Sequence, residues 1–277
     1  MFSRTDSIRK AVIPAAGYGT RLRPLTRITA KELLPLGRKP TVEYVVEELH
    51  SVGVDCIIFV ISPHKTSIRE YFGDSACEGK VAIKYVLQET QRGLADAILC
   101  AEKAVDGEDF IVALGDTVIA SETPSAALER VLSAYRSNPA FASIVVERVP
   151  VQESSRYGMV RPVGDSTGEH FEVDLLVEKP AVGCSPSDFA IGGRYIFNSG
   201  IFELIRRTSP GAGGEQQITD SIGLAISEGH RVWCVPVVEG ERRYDIGNIV
   251  TYCEAFTAMC MLDTELSSSI RKAAGNI

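Results

Sequence analysis

Lys10-Ala11-Val12-Ile13-Pro14-Ala15 runs directly into Ala16-Gly17-Tyr18-Gly19-Thr20-Arg21-Leu22, and the fold is read from that junction. The first run is apolar after Lys10 and does not alternate, the pattern of a strand buried on both faces of a sheet. The two glycines let backbone amides turn toward an anion with no Cβ in the way. Outward from there, residues 41–52 carry Val42, Val45, Val46 and Leu49 at i, i+3, i+4 and i+7, an amphipathic helix that Gly53 ends. Cys56-Ile57-Ile58-Phe59-Val60-Ile61 is a second buried strand, and residues 81–87 read as another strand. Residues 95–104 read as a helix, and Phe110-Ile111-Val112-Ala113-Leu114 as another buried strand closed by Gly115-Asp116. This alternation predicts an α/β fold: a Rossmann-like, mainly parallel sheet with helices on both faces.

Past about residue 140 the pattern changes. Residues 142–149, 171–177, 190–197 and 232–238 are strand-like, while 199–207, 215–228 and 249–262 are helical. No repeat, low-complexity tract or Pro/Ser-rich hinge separates the halves. One domain over 1–277 is expected, with two functional lobes at about 9–140 and about 141–258 and a C-terminal tail at 259–277.

Composition narrows the function classes. The 277 residues carry 45% apolar and 23% charged side chains, enough for a sizeable core. A net charge of −7 argues against a protein that coats nucleic acid, yet leaves room for a locally basic pocket. No apolar run approaches a membrane span, and no secretory leader is visible at the N-terminus. The 7 cysteines are scattered without a C-x-x-C, as reduced thiols of a cytoplasmic protein would be, and the 4 histidines form no H-E-x-x-H.

The glycine loop is weak as a signal by itself. It is not the phosphate loop G-x-x-x-x-G-K-[ST]. The dinucleotide fingerprint fails at its third glycine, where Leu22 stands, and the second strand runs into Ser62-Pro63-His64 rather than an acid. What remains is a loop with Arg21, Arg23 and, further on, Lys31, cations suited to a triphosphate that loses pyrophosphate. Asp116 stands just past a buried strand, where ligands bind in open α/β sheets. Asp245 precedes Gly247 and a helix. The two aspartates are either turn and capping residues or a pair able to hold one Mg²⁺ whose other ligands are waters and phosphates. Glu178-Lys179-Pro180 ends the strand at 171–177. It reads either as an exposed charged pair or as a lysine for phosphate beside a glutamate for hydroxyls.

Taken in order, these segments resemble the signature of the sugar-1-phosphate nucleotidylyltransferases. The resemblance rests on residues 14–22, Lys31-Glu32-Leu33-Leu34-Pro35, Gln88 with Arg92-Gly93-Leu94-Ala95-Asp96-Ala97, and Leu114-Gly115-Asp116. It continues through Tyr157-Gly158, Val177-Glu178-Lys179-Pro180, Gly193-Arg194-Tyr195, Pro210-Gly211-Ala212-Gly213 with Thr219-Asp220, and Asp245-Ile246-Gly247-Asn248. It covers roughly residues 9–258 and is most similar to the bacterial members that use UTP and glucose 1-phosphate. It implies the nucleotide-diphospho-sugar transferase fold and Mg²⁺-dependent nucleotidyl transfer that yields UDP-glucose and pyrophosphate. Arg21, Lys31 and Lys179 take the catalytic positions, and Asp116 and Asp245 those of the metal ligands. Ala16, Gly17, Gly19, Gln88 and Gly93 fall at the nucleotide, where Gln88 reads the N3–H and carbonyl of the pyrimidine edge and Gly93 leaves room for the ring. Gly158, Glu178 and Gly193 fall at the sugar, so the resemblance makes 9–140 the nucleotide-binding lobe and 141–258 the sugar-binding lobe. A homo-oligomer, dimer or tetramer, is implied as well.

Two spellings depart from this pattern. Leu114-Gly115-Asp116 is the thymidylyltransferase form, since uridylyltransferases usually have proline before that aspartate, and an insertion many of them carry before the Gln88 strand is absent. The alternatives are therefore a thymidylyltransferase that uses dTTP and a non-catalytic sugar-nucleotide-binding regulatory protein on the same fold.

Overall fold

A computed structural model describes residues 7–123, 125–138, 140–211 and 214–275. Ala212 and Gly213 of the 210–213 turn and the last two residues of the tail lie outside them.

The three buried runs of the first half form Lys10–Ala15, Cys56–Ile61 and Phe110–Ala113, and the half-exposed strand Val81–Leu87 joins them. They pair in parallel around Lys10–Ala15, with Ala11 opposite Ile57 and Ile111. The lack of alternation in Lys10–Ala15, Cys56–Ile61 and Phe110–Ala113 has a direct cause. Val12, Ile58, Val60 and Val112 point into one hydrophobic core, and Ile13, Ile57, Phe59 and Ile111 into another on the opposite face. Each core is covered by helices. Val42, Val45, Val46 and Leu49 of Thr41–Ser51 and Leu128 and Val131 of Ala126–Ser137 fill the second core. Leu94–Cys100, Ile201–Arg207 and Ile218–Ser227 fill the first. At ~25 cal/mol per Å² of apolar surface removed from water, such double-sided burial is the main stabilising term of the fold.

The same sheet continues into the second half. Its order from one edge is Gly158–Pro162, Phe171–Glu178, Val232–Pro236, Ala142–Arg148, Phe189–Phe197, Phe110–Ala113, Lys10–Ala15, Cys56–Ile61, Val81–Leu87 and Ser75–Ala76. The α/β class holds, with parallel pairing concentrated in the first half. In the second, Phe189–Phe197 runs antiparallel to both its neighbours, and Val232–Pro236 returns parallel to Ala142–Arg148.

Several boundaries differ from the sequence reading. The helix expected over 95–104 breaks at Ala101 into Leu94–Cys100 and Glu102–Val105. Part of the tail is helical: Asp263 caps Thr264–Ala274 by accepting from the Glu265 and Leu266 amides, although no residue of that helix is buried. A two-stranded sheet, Thr117–Ala120 with Arg242–Asp245, stands apart from the main one. Val118, Ile246, Leu22 and Ala255 join it to the glycine loop and the helix Ile249–Leu262 in a third apolar cluster.

Candidate functional site

The C-terminal ends of the parallel strands lie side by side, and the chain leaves three of the four through a segment singled out by its sequence: the glycine loop, Gln88, and Leu114-Gly115-Asp116. Ala16, Gly17, Lys31, Gln88, Gly93 and Asp116 line one cavity of about 250 Å³ there. Gly19 adopts a left-handed φ of 62°. Its carbonyl accepts from Thr26 Oγ1 at 2.6 Å, and a Cβ would crowd Thr26 Cγ2 at 3.2 Å. Lys65 braces the loop from below by donating to the carbonyls of Tyr18 (3.0 Å) and Thr26 (3.2 Å).

Three charges meet beside the loop. Lys31 opens a 3₁₀ turn, Lys31–Leu33, and its ammonium pairs with the Asp116 carboxylate. Asp245 reaches the same place through the small sheet, where it pairs in register with Thr117 and Ile246 N donates to Asp116 O at 3.1 Å. Burial favours the neutral Lys31, yet Asp116, Glu32 and Asp245 outweigh it and raise its pKa. Burial works against the charged Asp116 too, but Lys31 holds it below its ordinary value. Asp245 goes the other way: burial and the neighbouring Asp116 charge raise it, with Arg243 only partly compensating from 3.6 Å. Two partly buried carboxylates close enough to interact, one of them short of positive charge, are a donor set suited to a divalent cation that completes its shell with phosphate and water. Arg21 sits at the rim, with Nη2 3.7 Å from where a Gly247 Cβ would be.

Arg194 is the brace beneath Asp116. Wholly buried, it pairs with Glu48 at 2.7 Å and donates to the carbonyls of Leu114 (3.3 Å) and Thr117 (2.9 Å), on either side of the aspartate. Removing one partner of such a buried pair costs about 3–5 kcal/mol.

A second group forms at the end of Phe171–Glu178. Glu178 accepts from Thr219 Oγ1 at 3.0 Å and pairs with Lys179 Nζ at 3.1 Å. Gly158 lies opposite Glu178 in the ladder, and a Cβ there would come 3.1 Å from the carboxylate and 2.7 Å from Thr219 Cγ2. Lys179 has φ +43° just before Pro180, which turns its half-exposed side chain off the strand. Gly193, at φ +81°, lies between the groups; its carbonyl accepts from Leu114 N at 3.0 Å, and a Cβ would meet Leu114 Cδ1 at 3.1 Å.

One expectation needs correction, and another gains a second reason. The sequence reading has Gln88 offer both halves of its amide to a base, but its NH₂ is already used within the protein, donating to Asp96 Oδ2 at 2.7 Å and Gly93 O at 3.3 Å. Gly93 does line the cavity, but its missing side chain is needed for packing as well. A Cβ would stand 2.4 Å from Gln216 O, and φ is +112°. Glu32, Lys65 and Asp96 take no role in the sequence reading. A charge inside an apolar run, as in Lys31-Glu32-Leu33-Leu34, is the available signal for a buried Glu32.

Comparison with known proteins agrees with this arrangement. The Nucleotidyl transferase family pattern matches residues 10–261. A UTP–glucose-1-phosphate uridylyltransferase of Bacillus subtilis (strain 168) is 36% identical over 95% of this chain and 94% of its own. The crystal structure of a UDP-glucose pyrophosphorylase complexed with UDP-glucose superposes with a TM-score of 0.83 at 32% identity, covering 91% of this chain and 98% of that one. A UTP-bound UDP-glucose pyrophosphorylase from Acinetobacter baumannii gives 0.86 at 29% identity, over 96% and 98%. A likeness this even along the chain, with the glycine loop, both aspartates and the Glu-Lys-Pro turn inside it, means that the chain belongs to the nucleotidyl transferase family.

Proposed function

We propose that this chain transfers the uridylyl group of UTP to glucose 1-phosphate, forming UDP-glucose and releasing pyrophosphate. The observation that carries the reading is the meeting of Lys31, Asp116 and Asp245 at the strand ends, in reach of a cavity that Gln88 lines. A phosphate oxygen of glucose 1-phosphate attacks the α-phosphorus of UTP in line. That oxygen is already ionised at neutral pH, so no general base is required, and catalysis is positioning plus charge neutralisation. Lys31 and Arg21 neutralise the triphosphate and the departing pyrophosphate. Lys179 orients the incoming phosphate, while Glu178, held by Thr219, accepts from the hexose hydroxyls. Asp116 and Asp245 would hold Mg²⁺, which when bound supplies charge neutralisation at the reacting phosphates. Ala16, Gly17 and Gly19 offer backbone to the nucleotide, and Gly158 and Gly193 to the sugar.

The sheet shared by both halves supports treating the two lobes as one domain. Among the described residues no helix is long and apolar enough to cross a membrane. A cytoplasmic homo-oligomer, dimer or tetramer, follows from the family reading.

Pyrophosphate release with Mg²⁺, UTP and glucose 1-phosphate tests the proposal; its absence defeats it and favours a regulatory binder. The same assay with dTTP tests the base preference. Uracil and thymine present the same edge to Gln88, so room for the methyl and the ribose hydroxyl must decide, at about 10–200-fold for a methyl. A kcat/KM ratio of UTP to dTTP at or below one moves the chain to the thymidylyltransferase reading.

A further inference from the structure

The fixed orientation of the Gln88 amide has a consequence for which bases the site accepts. A glutamine amide offers two N–H donors and one carbonyl acceptor, and nothing in its shape distinguishes one flip from the other. Here its neighbours do. Gln88 is 3% exposed, and its Nε2 lies between two acceptors, Asp96 Oδ2 and Gly93 O. The reversed flip would set Oε1 against a carboxylate and a carbonyl, three acceptor oxygens with no hydrogen between them, and would strand the buried Asp96. Asp96 is itself fixed: Arg92 grips Oδ1 through Nε (3.1 Å) and Nη2 (2.9 Å), which leaves Oδ2 turned toward Gln88. Among the described residues no donor meets Gln88 Oε1, so the amide presents an acceptor to the cavity.

We propose that Asp96 is a positioning residue: by pinning the Gln88 flip it makes the site accept a base with a ring N–H at that edge and reject cytosine, whose N3 is an acceptor. This rests on the proposed use of UTP. Asp96 touches neither substrate nor reacting atoms; it acts through Gln88. Arg92, exposed beyond it, completes the chain from surface to base.

The test is the ratio of kcat/KM for UTP to that for CTP, with glucose 1-phosphate and Mg²⁺, in the wild type and in Asp96→Asn. Where CTP turns over too slowly, its inhibition constant against UTP replaces kcat/KM. The substituted amide offers either an oxygen or an NH₂, so Gln88 finds a partner in both flips. The ratio is expected to narrow about tenfold, one hydrogen bond of discrimination, with UTP falling and CTP gaining. Equal losses for both nucleotides, leaving the ratio unchanged, would mean a purely structural Asp96 and overturn the proposal. If Asp96→Asn does not fold, Arg92→Ala at the exposed position carries the test. It removes both hydrogen bonds that orient the carboxylate, so Asp96 no longer holds Gln88 in one flip. The ratio must again narrow, and an unchanged one overturns the proposal. A wild type that releases no pyrophosphate from UTP defeats the function itself. One that uses UTP without preferring it to CTP defeats only the role of Asp96.

Discussion

Glu32→Gln should change how stability depends on pH. Glu32 is 1% exposed, its Oε2 has no hydrogen-bond partner, and its nearest cation, Lys31 Nζ, is 4.0 Å away and committed to Asp116. Burial pushes its carboxyl up from 4.5 to about 7, with Asp116 adding to the rise and Lys31 opposing it. A carboxyl with a raised pKa inverts the usual acid case. The folded protein holds the proton where the unfolded chain has lost it, so the stabilisation is complete below pH 4.5 and lost as pH rises through 7. At 1.36 kcal/mol per tenfold change in proton affinity, most of that loss falls between pH 5 and pH 8, about 2–3 kcal/mol. Glutamine keeps the shape and cannot ionise, so any cost of its amide is the same at both pH values. Urea denaturation of both proteins, without metal or nucleotide, reads the difference as a midpoint shift. The wild type should lose about 1 M relative to Glu32→Gln on going from pH 5 to pH 8, at m of roughly 2–3 kcal/mol/M. Parallel midpoints at both pH values would refute the argument, since they require Glu32 to ionise as it does in water.

Asp116→Asn and Asp245→Asn should each lower turnover at least ~10²-fold, the scale of removing one electrostatic stabiliser, with the fold retained by circular dichroism. Near-wild-type rates at limiting Mg²⁺ would defeat the metal assignment. Lys179→Ala should weaken use of glucose 1-phosphate more than UTP binding, and Arg21→Ala the reverse, each by a charged hydrogen bond of roughly 1.5–3 kcal/mol. Separate titrations of the two substrates decide it, and equal weakening of both by both variants removes the division of roles.

What the sequence determines by itself is what local chemistry determines. Unalternating runs such as Ile57-Ile58-Phe59-Val60 require a sheet covered on both faces, because successive side chains point to opposite sides and each needs apolar company. The stripe Val42, Val45, Val46, Leu49 requires a helix with one buried face, and Asn248 caps Ile249–Leu262 through its own side chain. The ordered motifs carried the family for the same reason, since each is a short stretch whose backbone demands are met nearby. Tertiary structure alone decided the rest, because it depends on which distant groups share a dielectric environment. Asp116 and Asp245 come together only through the pairing of Thr117–Ala120 with Arg242–Asp245. Glu32 is a surface-type residue by composition and becomes a buried acid only because Gly115 and the strand ends close over it, so near that a Cβ added at Gly115 would lie 3.0 Å from its Cγ. Gln88 looks able to donate and accept until Asp96, in the first turn of Leu94–Cys100, takes its donors. Hydrogen-bond polarity is a property of the pair, and a sequence lists residues one at a time.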